Sequence, residues 1–161
     1  MSKIKWLLEN YWLLIIFLAF KMVIQFVVVN PVYELHRDEF LYLDQARHLS
    51  AGYISVPPFS SWISTIIFFL GGNIFWIRFF PALFGALAML FAWVMVEELE
   101  GKIYSKILVS CALLLSVFVR LNILYQPNAF DILAWTSVFY FLIRYLRTEE
   151  NRWLYYLAIV F

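Results

Sequence analysis

The sequence predicts an all-α integral membrane protein, a multi-span helical bundle with in-plane interfacial helices in its first external loop. Three observations predict it. Of 161 residues, 65% are hydrophobic and only 14% charged, with a mean hydropathy of +0.82, whereas a soluble domain is near half apolar and about a quarter charged. The apolar residues gather into runs long enough to cross a hydrocarbon core. Lys and Arg are biased toward one set of connecting loops, as in a protein oriented by its positive charges. The same figures exclude a disordered chain. With 12 Lys+Arg against 11 Asp+Glu the net charge is +1, so no basic field exists to bind nucleic acid. The lone Cys111 sits in an apolar run and excludes an intrachain disulfide framework.

Residues 11–29 form the first expected span, interrupted only by Lys21 and Gln25. The flank Met1-Ser2-Lys3-Ile4-Lys5 resembles a signal-peptide start, but the apolar run is too long and lacks a small-residue cleavage site. The span is therefore read as retained, with its N-terminus in the cytoplasm. An external loop, 30–73, follows and holds most of the polar residues. Asn30-Pro31 ends the first helix, because proline disfavours helix in the residue before it. A polar helix then opens at His36-Arg37-Asp38-Glu39 and runs to Ala51, with Gly52 as its C-cap. On it Asp38, Tyr42, Gln45 and Leu49 share one face, while Glu39, Leu43, Ala46 and Ser50 share another. Such a helix is too polar to cross lipid and belongs at the interface. Tyr53-Ile54-Ser55-Val56-Pro57-Pro58 leaves it as an extended turn.

The positive-inside rule decides the next element. If 62–70 and 74–96 crossed separately, most basic residues would fall outside. If 59–70 only dips into the membrane and 74–96 crosses once, the cytoplasmic side holds Lys3, Lys5, Lys102, Lys106, Arg144, Arg147 and Arg152. The far side then keeps Arg37, Arg47, Arg78 and Arg120, and the rule prefers this arrangement. Further spans are expected at about 104–120 and 131–146, separated by a short external loop at 120–128. A fifth begins at 153–161 but is too short to cross, so the chain reads as the N-terminal part of a larger protein.

A charge near mid-bilayer costs about 2.5–3.5 kcal/mol on insertion scales, so charged groups beside apolar runs are informative. Asp38, Glu39, Asp44, Asp131, Arg37, Arg47, Arg78, Arg120, His36 and His48 are all expected on the external side. Carboxylates opposite several cations suit removal of a proton from an acceptor while an anionic leaving group is held. Plainer readings stand beside this one. Asp38, Glu39 and Asp131 also suit helix starts, where carboxylates meet free N–H groups and the dipole. The arginines also suit lipid-headgroup anchors, and Lys21 with Gln25 suits a structural pair inside the bundle. His36 and His48 lack a third ligand nearby, so no metal is expected.

The ordered set of motifs resembles a known family. An N-in first span is followed by Arg37-Asp38-Glu39-x-x-Tyr42, Ala46-Arg47-x-Leu49, Gly52-Tyr53 and Pro57-Pro58. After a broken apolar helix comes Arg78-Phe79-Phe80-Pro81-Ala82-Leu83-Phe84-Gly85-Ala86. This is similar to the N-terminal part of the GT-C glycosyltransferases that use polyprenyl-phosphate sugars. The closest branch holds protein O-mannosyltransferases and lipid A aminoarabinose transferases. Gln126-Pro127-Asn128-Ala129-Phe130-Asp131 resembles that branch's second external motif, usually Thr-Pro-Asp-Ala-Pro.

The resemblance implies a GT-C bundle in which Asp38 is the catalytic base and Glu39 its companion. At about 100° apart on a helix the two cannot point at one atom, so Glu39 takes a supporting role. Substrate contacts are expected from Arg37, Arg78, Arg120, Tyr42, Asn128 and Asp131. Two departures stand out: Val56 replaces a Lys before Pro-Pro, and Asn128 replaces the usual Asp, so that either Asp131 one turn later substitutes or the second acid is dispensable. The implied partners are a polyprenyl-phosphate-linked sugar donor, an acceptor protein, lipid or glycan, and the lipid bilayer. No nucleic acid, cofactor or metal is implied. The expected place is a bacterial inner membrane with the active side facing the periplasm or exterior, and the isolated chain is expected to be inactive. The alternatives are a multi-span transporter or lipid carrier using Lys21 and Asp131, or a non-catalytic membrane subunit.

Overall fold

The computed structural model describes residues 3–29, 35–54 and 56–160, with only the backbone of 3–10. All regular elements among them are helical. Helix α1 is Lys3–Val27, bent at Tyr11, whose φ of −120° and ψ of 16° leave helical space. The apolar part is Tyr11–Val27, so the span expected at 11–29 closes two residues early. The Asn30-Pro31 break lies outside the described residues, as does Ser55 of the expected turn.

Helix α2, Arg37–Asp44, starts with a reciprocal cap. The Asp38 N–H donates to Nδ1 of His36 at 3.3 Å, and the His36 N–H donates to Oε2 of Glu39 at 2.6 Å. Two free N-terminal donors are thereby satisfied, with histidine in the position that Ser or Thr usually takes. The expected continuation to Ala51 does not form. A 3₁₀ turn, Gln45–Arg47, follows and the helix is over by His48. The Tyr53 hydroxyl lies 3.0 Å and 2.9 Å from the carbonyl oxygens of Gln45 and His48, so it meets carbonyls that a further turn would have used. Gly52 is not left-handed and caps nothing. Gln45, expected on the face of Asp38 and Tyr42, is buried, as are Glu39 and Leu43. The face predicted for Asp38, Tyr42, Gln45 and Leu49 is broken there.

Helix α3, Phe59–Phe69, has 11 residues, or about 16 Å at 1.5 Å per residue, about half the hydrocarbon thickness. It ends on Gly71 and Gly72, at φ 104° and 65°, a left-handed pair in which the Gly72 N–H reaches back to the Ile67 carbonyl at 2.9 Å. That conformation favours glycine, which has no Cβ to strain it. Asn73 then caps helix α4, Ile74–Glu98, through its side-chain oxygen and the Trp76 N–H at 3.2 Å. This helix of 25 residues carries more buried positions than any other described helix, from Ile77 to Trp93. It packs against α1 and the two following long helices.

Helix α5, Ile103–Leu114, and the short α6, Phe118–Leu121, replace the single span expected at 104–120. The break is at Ser116, whose hydroxyl reaches the Leu113 carbonyl at 3.3 Å and accepts the Phe118 N–H at 3.4 Å, a local alternative to the helical ladder. Helix α7, Pro127–Thr148, opens earlier than the expected 131 because Pro127 suits a first helical position. Asp131 therefore lies in its second turn, and the helix-start reading of that carboxylate does not hold. Helix α8, Arg152–Val160, follows the left-handed Glu149. Helices α4 and α7 are long and apolar enough to cross a membrane.

The core joins α2, α3, α4 and the start of α7 through Leu43, Ile63, Ile67, Ile77, Phe84, Tyr125 and Ala129. At the other end, ion pairs tie the helices together. Lys106 meets Glu97 and Arg144 meets Glu98, each at 2.5 Å, and Arg147 meets Glu100 at 2.9 Å.

Candidate active site

The site is organised by Glu39, whose side chain is fully enclosed. The α2 cap places its Oε2 on the His36 N–H, and Oε1 is met from the other side by Arg78 and by the Tyr125 N–H at 2.6 Å. Arg78 is 6% exposed and also donates to the Ile123 carbonyl at 2.9 Å. One carboxylate thus binds α2 to α4 and to the segment between α6 and α7. A buried ion pair is favourable only when such hydrogen bonds complete it. Arg78, expected among the external cations, is drawn into the protein instead.

Tyr125 extends the network. Its hydroxyl lies 2.8 Å from Oγ of Ser64 and donates to the Ser60 carbonyl at 2.5 Å. Ser64 also reaches the Tyr42 carbonyl at 2.8 Å. Burial pushes the Tyr125 hydroxyl well above its ordinary pKa, more than the Ser64 hydrogen bond lowers it. Helices α2 and α3 are therefore fixed to each other and to the mouth of α7. The sequence reading missed Ser60, Ser64, Tyr125 and Gln126. Ser60, Ser61 and Ser64 punctuating an otherwise apolar helix were the available signal.

Asp38 has a different setting. It is 37% exposed, with Oδ1 3.4 Å from Nε of Arg37 and Oδ2 3.6 Å from Nδ1 of His36. Nε2 of Gln126 lies 3.5 Å from Oδ2. Neighbouring Tyr42 is partly buried, and its hydroxyl is pushed up by that burial and by the Asp38 charge. So two adjacent carboxylates divide into one enclosed and committed and one open to solvent.

A cavity of about 640 Å³ is lined by Arg37, Arg78 and Arg120, with His36 and Ser116 as further polar groups; Asp38 does not line it but contacts Arg37 and His36, which do. Val28, Val29, Leu35, Val119, Ile123 and Leu124 supply an apolar wall. Three cations expected singly thus come together from α2, α4 and α6. Asn128 and Asp131 stand one turn apart on α7, both exposed. Lys21 is buried as expected, but its Nζ has no hydrogen-bond partner among the described residues, so the expected structural pair with Gln25 is absent. Nor does any described contact join Lys21 to Asp131. Among the described residues no three His, Cys, Asp or Glu side chains converge.

Helical throughout its regular elements among the described residues, with two apolar helices long enough to cross a membrane and a polar site built on a carboxylate and an arginine-lined cavity, the chain has the make-up of a helical membrane protein. Residues 55–161 match the family described as dolichyl-phosphate-mannose-protein mannosyltransferase. The match covers well over half of the chain, and the chain belongs to that family, which makes it a membrane glycosyltransferase. The matched residues include Arg78, Arg120, Asn128 and Asp131, and begin after Asp38 and Glu39. No curated protein and no solved structure matches it.

Proposed function

We propose that this protein transfers a sugar, with inversion, from a polyprenyl-phosphate donor to an acceptor hydroxyl of a protein, lipid or glycan on the extracytoplasmic side. Asp38 takes the hydroxyl proton while the acceptor oxygen attacks the anomeric carbon. The bond between that carbon and the donor phosphate breaks, and polyprenyl phosphate leaves. Its negative charge lies among Arg37 and Arg120, with Arg78 at the back of the cavity. Tyr42, Asn128 and Asp131, which do not line the cavity, are assigned to sugar and acceptor contacts.

The observation that carries this reading is the pairing of a solvent-accessible carboxylate with a cavity lined by three arginines in a member of a mannosyltransferase family. A base must reach the acceptor proton, and Asp38 is open where Glu39 is not. In the proposed topology α1 enters from the cytoplasm, α2 and α3 lie in the plane of the outer face, and α4 and α7 cross. The plasma membrane of a bacterium, with the site facing the exterior or periplasm, is the proposed location.

Native mass spectrometry of the full-length protein in mild detergent, wild type beside Asp38→Asn, tests the reading. The expected result is co-purified polyprenyl phosphate in the wild type and an accumulated sugar-bearing form in the variant. Absence of polyprenyl lipid from both, after donor is added back, overturns it.

A further inference from the structure

We propose that Lys21 is a buried counter-charge for the anion held in the arginine-lined cavity, acting through the protein interior rather than by contact. The identity of the anion as a lipid phosphate rests on the donor reading above.

Lys21, Gln25 and Asn122 are each at most 2% exposed. Nζ of Lys21, both amide atoms of the Gln25 side chain and Nδ2 of Asn122 have no hydrogen-bond partner among the described residues. Lys21 and Asn122 meet over Gly85, where a Cβ would stand 2.9 Å from Cε of Lys21 and 2.6 Å from Cγ of Asn122. Glycine there lets the lysine stem and the amide lie directly against α4. Buried polar groups are nearly always satisfied, so a cluster of such orphans calls for a cause.

The cluster sits under the cavity. On α1, Lys21 is seven residues from Val28, with Gln25 between them on the same face; on α4, Gly85 is seven residues from Arg78. Val28 and Arg78 both line the cavity, and Asn122 adjoins Ile123, which lines it too. Val28 follows the last residue of α1, and seven residues are about two helical turns, so the Lys21 backbone lies about 10 Å from the cavity lining along the helix.

Every other charge buried in the described structure is matched. Buried Glu39 is taken by buried Arg78, and the partly buried Glu97 and Glu98 are taken by Lys106 and Arg144. No described carboxylate reaches Lys21. Arg78 contributes little net charge to the cavity because Glu39 already neutralises it. An anion in the cavity therefore faces Arg37 and Arg120 on the solvent side and Lys21 from below, through a medium that screens poorly. A charge inside a membrane protein is retained where it pairs or serves a ligand, and the cavity is the nearest place for its opposite.

At about 10 Å and an effective dielectric of about 20, one such charge changes the affinity for an anion by about tenfold. The test uses full-length protein in detergent with farnesyl phosphate as charged probe and farnesol as neutral control, comparing wild type, Lys21→Met and Lys21→Gln. Both variants are expected to bind farnesyl phosphate about tenfold more weakly, bind farnesol as wild type does, and melt no lower than wild type without ligand. Wild-type affinity for farnesyl phosphate in either variant overturns the inference, as does an equal loss of farnesol binding, which marks structural damage. Failure of the wild-type protein itself to bind farnesyl phosphate overturns the donor reading and this inference together.

Discussion

The enclosed carboxylate of Glu39 is ion-paired with the guanidinium of Arg78, 39 residues further along the chain. Glu39 also accepts the backbone N–H groups of His36 and Tyr125. Three segments therefore depend on one side chain. Removing one partner of a buried pair leaves the other charge uncompensated, which costs about 3–5 kcal/mol. Glu39→Ala is expected to lower thermal stability in detergent by that order. Adding Arg78→Met should recover part of the loss, as coupled neighbours are non-additive; simple addition of the two losses would show that the pair is not coupled.

Asp38 is expected to behave oppositely. Asp38→Asn should leave the melting temperature near that of the wild type, because the carboxylate is half-exposed and holds only long contacts. Loss of a general base costs about 10²–10⁴-fold in rate, and transfer should fall by that order with donor binding retained. Turnover close to wild type would exclude Asp38 as the base.

Tyr125 gives the network a pH dependence whose sign follows from burial. Its hydroxyl has a raised pKa in the folded protein, so the native state holds its proton longer than the unfolded chain does. Its contribution is complete below about pH 10, the ordinary tyrosine value, and is lost as pH rises beyond it. Tyr125→Phe leaves Ser64 and the Ser60 carbonyl without this partner, which costs about 1–3 kcal/mol. The variant should be less stable at neutral pH, and its stability should fall less steeply above pH 10. Parallel stability curves for the two proteins would contradict this.

The proposed topology is checked with an impermeant maleimide on whole cells in a Cys111→Ser background. Ala51→Cys, exposed beyond α2, is expected to label from outside. Lys102→Cys, exposed between α4 and α5, is expected to label only after permeabilisation. The reverse pattern would invert the bundle and place Asp38 in the cytoplasm.

Much of the secondary structure was legible in the sequence, because its signals are local. Apolar runs marked the long helices, the gap between 62–70 and 74–96 marked the turn into α4, and His36-Arg37-Asp38-Glu39 marked the start of α2. The errors came where a distant or competing hydrogen bond decided the end of an element. The Tyr53 hydroxyl stops α2 short of Ala51, Ser116 divides the expected third span, and Pro127 opens α7 early.

What the sequence by itself determined was an all-helical membrane protein, its family, and the set of charged residues on which a reaction would have to draw. Composition and spacing suffice for these, since hydrophobic length and helix-end chemistry act within a few residues. The tertiary structure alone decided which of two adjacent carboxylates is buried, which arginine is already neutralised, and that three arginines share one cavity. It also showed that Lys21 has no counter-ion among the described residues. Those outcomes depend on burial and on partners tens of residues away, and the energy of a charge in a protein is set by what surrounds it, not by its neighbours in the chain.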